Sequence, residues 1–263
     1  MMAPPTVLFP PARPYNRRVN ITGKVAIVTG SAKRVGRVIA LALAKRGAHV
    51  AVHYLSSEAE AKATADEAAR MGVRSMTVKA DLKSGVEVSR MIESVTANFG
   101  RLDILVNNAA VFIKTPLATV SEEQWDHTID SNLKGTFLCC VQAARIMLEQ
   151  ESGGAIVNIA DWAGVRPYRD YIPYCVSKSG VIALTAGLAK TLAPKVRVNA
   201  IGPGPVLIPS DLPPDEAREI MEKTPMKRHG SPEDVASAVV FLLEGSDYIT
   251  GVFLPVDGGR LIA

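Results

Sequence analysis

The sequence predicts a single-domain α/β protein, a doubly wound, seven-stranded parallel sheet with helices on both faces. Three observations predict it. Short, continuous apolar runs alternate with longer stretches of helical period along nearly the whole chain, as expected of strands buried on both faces between crossover helices. The first apolar run ends in a glycine-bearing turn that opens a helix. Finally, 263 residues with 48% in the apolar set supply enough core for one such domain and depart little from globular norms.

Residues 1–20 stand apart from this pattern. Pro4, Pro5, Pro10, Pro11 and Pro14 exclude a helix, and the segment has no apolar signal-peptide core. An extended arm is expected there, mobile or laid against a neighbouring subunit, with the domain itself over residues 21–263. Strands are expected at Val25–Thr29, His49–Tyr54, Arg74–Lys79, Ile104–Asn107, Ala155–Ile159, Arg197–Ile201 and Val252–Val256, each a short apolar run. The intervals Arg37–Arg46, Glu58–Arg70, Gly85–Asn98, Glu122–Gln150, Pro173–Leu192 and Glu233–Leu243 carry helical spacing. The longest of them reads as one helix kinked at Gly135. Pro/Gly-rich sequence from Gly202 to Pro214 breaks the alternation, and Val206–Thr224 is expected to close over the site as a lid.

Composition narrows the function. The net charge of +4 is small, and Lys and Arg are interleaved with Asp and Glu, so no nucleic-acid stripe is present; an anionic small molecule suits this balance. No uncharged apolar run approaches the ~18–20 residues of a membrane span. Cys139, Cys140 and Cys175 give an odd count without CxxC spacing, which reads as reduced core thiols and a cytoplasmic location. His49, His53, His127 and His229 are scattered without metal-ligand spacing, so no metal site is assigned.

The turn Thr29-Gly30-Ser31-Ala32-Lys33-Arg34-Val35-Gly36 suits a dinucleotide pyrophosphate: glycine permits the tight turn and brings backbone amides close at a helix N-terminus. A site for NAD carries an acid roughly 20 residues further on, for the ribose hydroxyls. Here that place reads His53-Tyr54-Leu55-Ser56-Ser57, with no acid before Glu58. His53, the two hydroxyls and Lys33 are expected to receive a 2′-phosphate, so NADPH/NADP+ is the expected cofactor, although Ser56 or Ser57 also suits the cap of the next helix. Further on, Tyr174 and Lys178 stand four apart, hence on one helix face. A phenol with pKa ≈ 10 needs help near neutrality, and a neighbouring ammonium together with an oxidised nicotinamide is expected to lower that value.

With Thr29-Gly30…Gly36, Asp81-Leu82, Asn107-Asn108-Ala109, Asn132, Tyr174…Lys178 and Pro203-Gly204 in order, the chain resembles the short-chain dehydrogenase/reductase family from about Thr22 to its C-terminus. The resemblance implies a Rossmann-type fold. It also implies that Gly30, Lys33, Arg34, Val35, Gly36, Tyr54, Asp81, Leu82, Asn108, Ala109, Pro203 and Gly204 line the cofactor site, with Asp81 on the adenine and Asn107 at its border. Asn132 would position a water in a proton relay, Tyr174 would supply the proton, and Lys178 would bond the nicotinamide ribose. A homotetramer packed through the Glu122–Gln150 and Pro173–Leu192 helices is implied as well.

Two departures narrow the resemblance. Arg34 replaces the usual glycine and Asp161, 13 residues before Tyr174, replaces the usual serine, as in pteridine reductases and the related dihydromonapterin reductases. Phe112 falls where those enzymes place a ring-stacking phenylalanine, and His53-Tyr54…Ser57 resembles their NADPH segment, with Ser56 in place of a frequent arginine. A serine donates a hydrogen bond to a carbonyl, whereas an ionised aspartate only accepts. The leading expectation is therefore an NADPH-dependent reductase of a dihydropterin-type C=N. In it Asp161 takes the substrate's N–H edge or shares a proton with Tyr174, Phe112 stacks on the ring and Arg34 reaches its oxygens. The alternatives are a carbonyl or 3-oxoacyl reductase of the same family, or a non-catalytic NADPH-binding sensor. Simpler roles also stand: Arg34 as a phosphate contact, Phe112 as core, Asp161 as a cap, and Trp162, Tyr168 and Tyr171 as loop packing, with one of these three bordering the substrate as the alternative.

Overall fold

The computed structural model describes residues 19–207 and 213–263. The expected N-terminal arm, except Val19 and Asn20, and residues 208–212 of the expected lid lie outside the described residues. Strands β1 (Val25–Val28), β2 (His49–Tyr54), β3 (Ser75–Lys79), β4 (Ile104–Asn107), β5 (Gly154–Ile159), β6 (Val196–Pro203) and β7 (Phe253–Val256) form one sheet in the order β3-β2-β1-β4-β5-β6-β7. All six pairings are parallel, with Ile27 facing Ala51 on one side and Leu105 on the other. The order reverses between β1 and β4, where open α/β sheets leave a crevice beyond the strands' carboxyl ends.

The helices are α1 (Arg34–Lys45), α2 (Glu58–Arg70), α3 (Gly85–Phe99), α4 (Glu122–Ile129), α5 (Gly135–Glu149), α6 (Ile172–Leu192), α7 (Pro214–Glu222) and α8 (Pro232–Glu244). One core layer sets Val25 and Ile27 against α3, α5 and α6; the other sets Ala26 and Val28 against α1 and α8. Every residue of β1 is thus buried, which is why the strand reads as an unbroken apolar run. Helix α6 is apolar and long enough, at 21 residues, to cross a membrane by composition alone. It lies instead along β6 and carries Lys178 and Tyr174 inside the fold.

Three expectations are corrected. The Glu122–Gln150 stretch is not one helix kinked at Gly135: α4 and α5 are joined by a π-helical turn, Asp130–Lys134, and Gly135 itself has regular helical angles. Gly135 is glycine because a Cβ there would lie 3.1 Å from the Leu82 Cβ and 3.2 Å from its carbonyl oxygen. Helix α1 starts at Arg34, three residues earlier than expected. Lastly, the expected lid Val206–Thr224 contains α7, whose Pro214 opens the helix rather than breaking it, since a first-turn proline loses no hydrogen bond.

Candidate active site

The sequence-predicted site residues gather at and beyond the carboxyl ends of β1 to β6, around the reversal of strand order. The β1–α1 turn is locked from the β4 side. The Thr29 hydroxyl accepts hydrogen bonds from the amides of Asn108 (2.9 Å) and Ala109 (3.0 Å). The Asn108 side-chain amide donates to the carbonyls of Thr29 and Gly30 at 2.9 and 3.1 Å. A Cβ at Gly36 would collide with the Gly30 carbonyl oxygen, so this contact requires glycine.

Serine side chains cap α3, α4 and α8, but α1, whose N-cap residue is Lys33, has no side-chain cap bond. Its first amides, including those of Arg34, Val35 and Gly36, are therefore left for an outside acceptor, and the helix dipole favours an anion there. Lys33 and Arg34 are both exposed beside them. Ser57 occupies the N-cap position of α2 without a side-chain cap bond, and Ser56 is exposed, so the capping role is not taken and both hydroxyls remain available. Tyr54 is half-buried against Ala32, Val52 and Ala61. Asp81 accepts from the Lys83 amide (2.9 Å) with Lys83 Nζ 3.7 Å away, and Leu82 packs beneath it in the core. Gly204 follows Pro203 where β6 ends, its amide bonded to the Val256 carbonyl at 3.0 Å. An uncapped helix end, two free hydroxyls and no acid at the end of β2 fit NADP(H).

His53 is the exception. It is 2% exposed, and both ring nitrogens are already engaged, Nδ1 by the Gly30 amide at 2.9 Å and Nε2 by the Ala80 carbonyl at 3.0 Å. Burial pushes its pKa down, against the opposing Ala80 bond and the Asp81 charge. The expectation that His53 receives a phosphate is corrected: no donor is left to offer one.

On the other side of the crevice, the Tyr174 hydroxyl donates to Asp161 Oδ2 at 2.7 Å, while Asp161 Oδ1 accepts from the Ala163 amide at 2.7 Å. Asp161 thus caps the short 3-10 turn Trp162–Gly164 and holds the phenol at once. Lys178 is 4% exposed, and its Nζ donates to the Ile159 carbonyl at 2.8 Å and lies 5.7 Å from the Tyr174 ring centroid. Asn132, in the π turn, accepts from the Val111 amide (2.8 Å) and donates to the Val111 carbonyl (3.0 Å) and to Ser177 Oγ (3.1 Å). Ser177 in turn donates to the Tyr174 carbonyl at 2.6 Å. A single amide thereby ties the loop after β4 to α6.

Burial, then the Asp161 charge and hydrogen bond, push the Tyr174 phenol well above its ordinary value. Burial lowers the Lys178 pKa to about 8, and its ammonium donates to the Ile159 carbonyl. Burial also raises Asp161 despite its bonds from Ala163 and Tyr174. The pair is built to keep a proton.

Phe112 is 56% exposed, so it is not core. Its ring stacks on Tyr171 (centroids 4.4 Å apart, planes 9° from parallel) and stands edge-on to Tyr174 (4.7 Å, 80°). Tyr168 meets Trp162 edge-on at 5.3 Å, and burial raises its phenol pKa. Tyr168 and Tyr171, expected as loop packing with one of the group at the substrate's edge, both pack on Phe112 beside Tyr174; the three-residue spacing 168, 171, 174 was the available signal. The Arg34 side chain makes no hydrogen bond or ion pair among the described residues, and the residue's φ is +57°. A cavity of about 380 Å³ lies near the ends of β6 and β7, between Gly204, Val206, Arg228 and Gly258, and its lining includes none of Phe112, Asp161, Tyr174 and Lys178.

The profile of a family described as Enoyl-(Acyl carrier protein) reductase matches residues 30–260. A 3-oxoacyl-[acyl-carrier-protein] reductase of Staphylococcus epidermidis is 39% identical over 240 residues, 90% of this chain and 98% of that protein. The (2S)-[(R)-hydroxy(phenyl)methyl]succinyl-CoA dehydrogenase subunit BbsD of Thauera aromatica is 37% identical over 248 residues, 92% of this chain and 98% of that protein. A crystal structure from Sinorhizobium meliloti, provisionally described as a short-chain alcohol dehydrogenase, superposes with a TM-score of 0.89 at 35% identity, covering 94% of this chain and 99% of that one.

Proposed function

Because the chain belongs to the short-chain dehydrogenase/reductase family and is an oxidoreductase using NADP(H), we propose that it reduces the keto group of a 3-oxoacyl thioester. The observation that carries this reading is the extent of likeness to a 3-oxoacyl reductase, which spans 90% of the chain. NADPH supplies the hydride. The uncapped start of α1 with Lys33 and Arg34 holds the pyrophosphate, Ser56 and Ser57 the 2′-phosphate, and Asp81 the adenine. Tyr174, kept protonated by its burial, delivers its proton to the keto oxygen. Asp161 in its protonated form, which burial favours, donates to the same oxygen, the place a serine hydroxyl would take. Lys178 fixes the end of β5 and bonds the ribose; Asn132 holds α6 against the loop after β4.

A second reading, reduction of a dihydropterin-type C=N, is favoured by Asp161 itself. Ionised, it accepts from the N–H edge of such a ring, which no keto substrate presents. NADPH oxidation with acetoacetyl-CoA and with a dihydropterin, compared in the native enzyme and Asp161→Ser, separates the two. The thioester reading expects faster thioester turnover, kept or raised by the serine. Preference for the pterin, lost on substitution, overturns it.

We also propose a cytoplasmic homotetramer. Three buried free cysteines suit a reducing compartment, and exposed Phe137 and Leu148 on α5 with Ile172 and Val176 on α6 suit an interface.

A further inference from the structure

We propose that His53 is a positioning residue, which sets the geometry of the NADP(H) pyrophosphate turn by accepting the Gly30 amide. The inference rests on the β1–α1 turn being the pyrophosphate cradle and is independent of which acceptor is reduced.

The bonds fix the imidazole's form. A backbone amide can only donate, so Nδ1 at 2.9 Å from Gly30 N carries the lone pair. A carbonyl can only accept, so Nε2 at 3.0 Å from the Ala80 oxygen carries the proton. The ring is therefore neutral, and one side chain spans three segments: the turn after β1, the end of β2, and the end of β3 next to Asp81. Backbone bonds run alongside, from the Ser31 amide to the His53 carbonyl (3.0 Å) and from the Ala80 amide to the Tyr54 carbonyl (3.2 Å). Gly30 is thereby held at both ends of its peptide, its carbonyl by the Asn108 side chain at 3.1 Å and its amide by His53. With φ at +62° and a virtual Cβ 3.0 Å from the Ala109 Cα, Gly30 has little freedom to find another partner. The Gly30 amide is withdrawn from the anion, which falls to the α1 amides, and their aim depends on where Gly30 is held.

Asparagine and glutamine dissect the two bonds, because an Asn side-chain oxygen superposes on Nδ1 and a Gln side-chain nitrogen on Nε2. The experiment is fluorescence titration of NADPH and of NADH into native, His53→Ala, His53→Asn and His53→Gln protein. An orphaned amide predicts that Ala and Gln weaken both cofactors by the same factor, about 10–100-fold, while Asn restores binding to within about 3-fold of native. Selective loss of NADPH would make His53 a 2′-phosphate ligand and overturn the proposal. So would Asn binding no better than Gln, which would reduce the ring to packing. If the alanine protein does not fold, the Asn–Gln comparison still decides. Failure of the native protein to bind either cofactor would instead remove the cradle assignment.

Discussion

Asp161 and Tyr174 are joined by a hydrogen bond in a site whose burial disfavours charge on either, and this makes activity depend on pH in a defined sense. If protonated Asp161 is the second donor, keto reduction falls as pH rises through its raised pKa, and Asp161→Ser flattens that limb; a native profile level across the range would refute the role. Stability carries the same sign. A carboxyl whose folded pKa lies above its unfolded one stabilises while protonated and loses that contribution as pH climbs through the folded value. The chemistry of these residues was legible in sequence because a helix repeats every 3.6 residues: Tyr174 and Lys178 had to share a face. Whether the ammonium would reach the phenol was not legible, because Ile159 lies on another strand and competes for it. His53 was misread for a related reason. In a strand buried on both faces, alternation does not say which polar residue meets solvent.

At the scale of elements, the start of α1 and the π turn both depart from regular helix, and both lie at the crevice. Arg34 is the first residue of α1 yet has φ +57°, which costs a side chain with a Cβ roughly 1–2 kcal/mol. Arg34→Gly relieves this and raises the melting temperature by about 2–4 °C per kcal/mol recovered. The same variant weakens NADPH or substrate binding if the guanidinium serves the site, and unchanged binding by titration would leave the strain without a function. The π turn was invisible in the sequence, since Asp130–Lys134 differs from α-helix only in one inserted hydrogen-bond step. That step is settled by Asn132 reaching Val111 across the crevice. Helix α7 was missed because Pro/Gly-rich composition masks a helix that a proline begins.

For the whole molecule, alternation of strand and helix was enough to give the sheet, its parallel sense and its two layers. All seven expected strands overlap those found, two of them with identical bounds and the others shifted by one or two residues at one or both ends. Assembly is a property of surfaces that periodicity does not encode. Multi-angle light scattering should return the mass of four chains, and Phe137→Asp on α5 should lower it; a native mass of one chain would discard the tetramer. Recognition of the reducible guest is also a property of the assembled mouth. Phe112 already rests face to face on Tyr171, so an aromatic guest would merely exchange one ring neighbour for another. Flatness alone then contributes little to discrimination, and selectivity has to come from the polar rim of the guest, atom by atom.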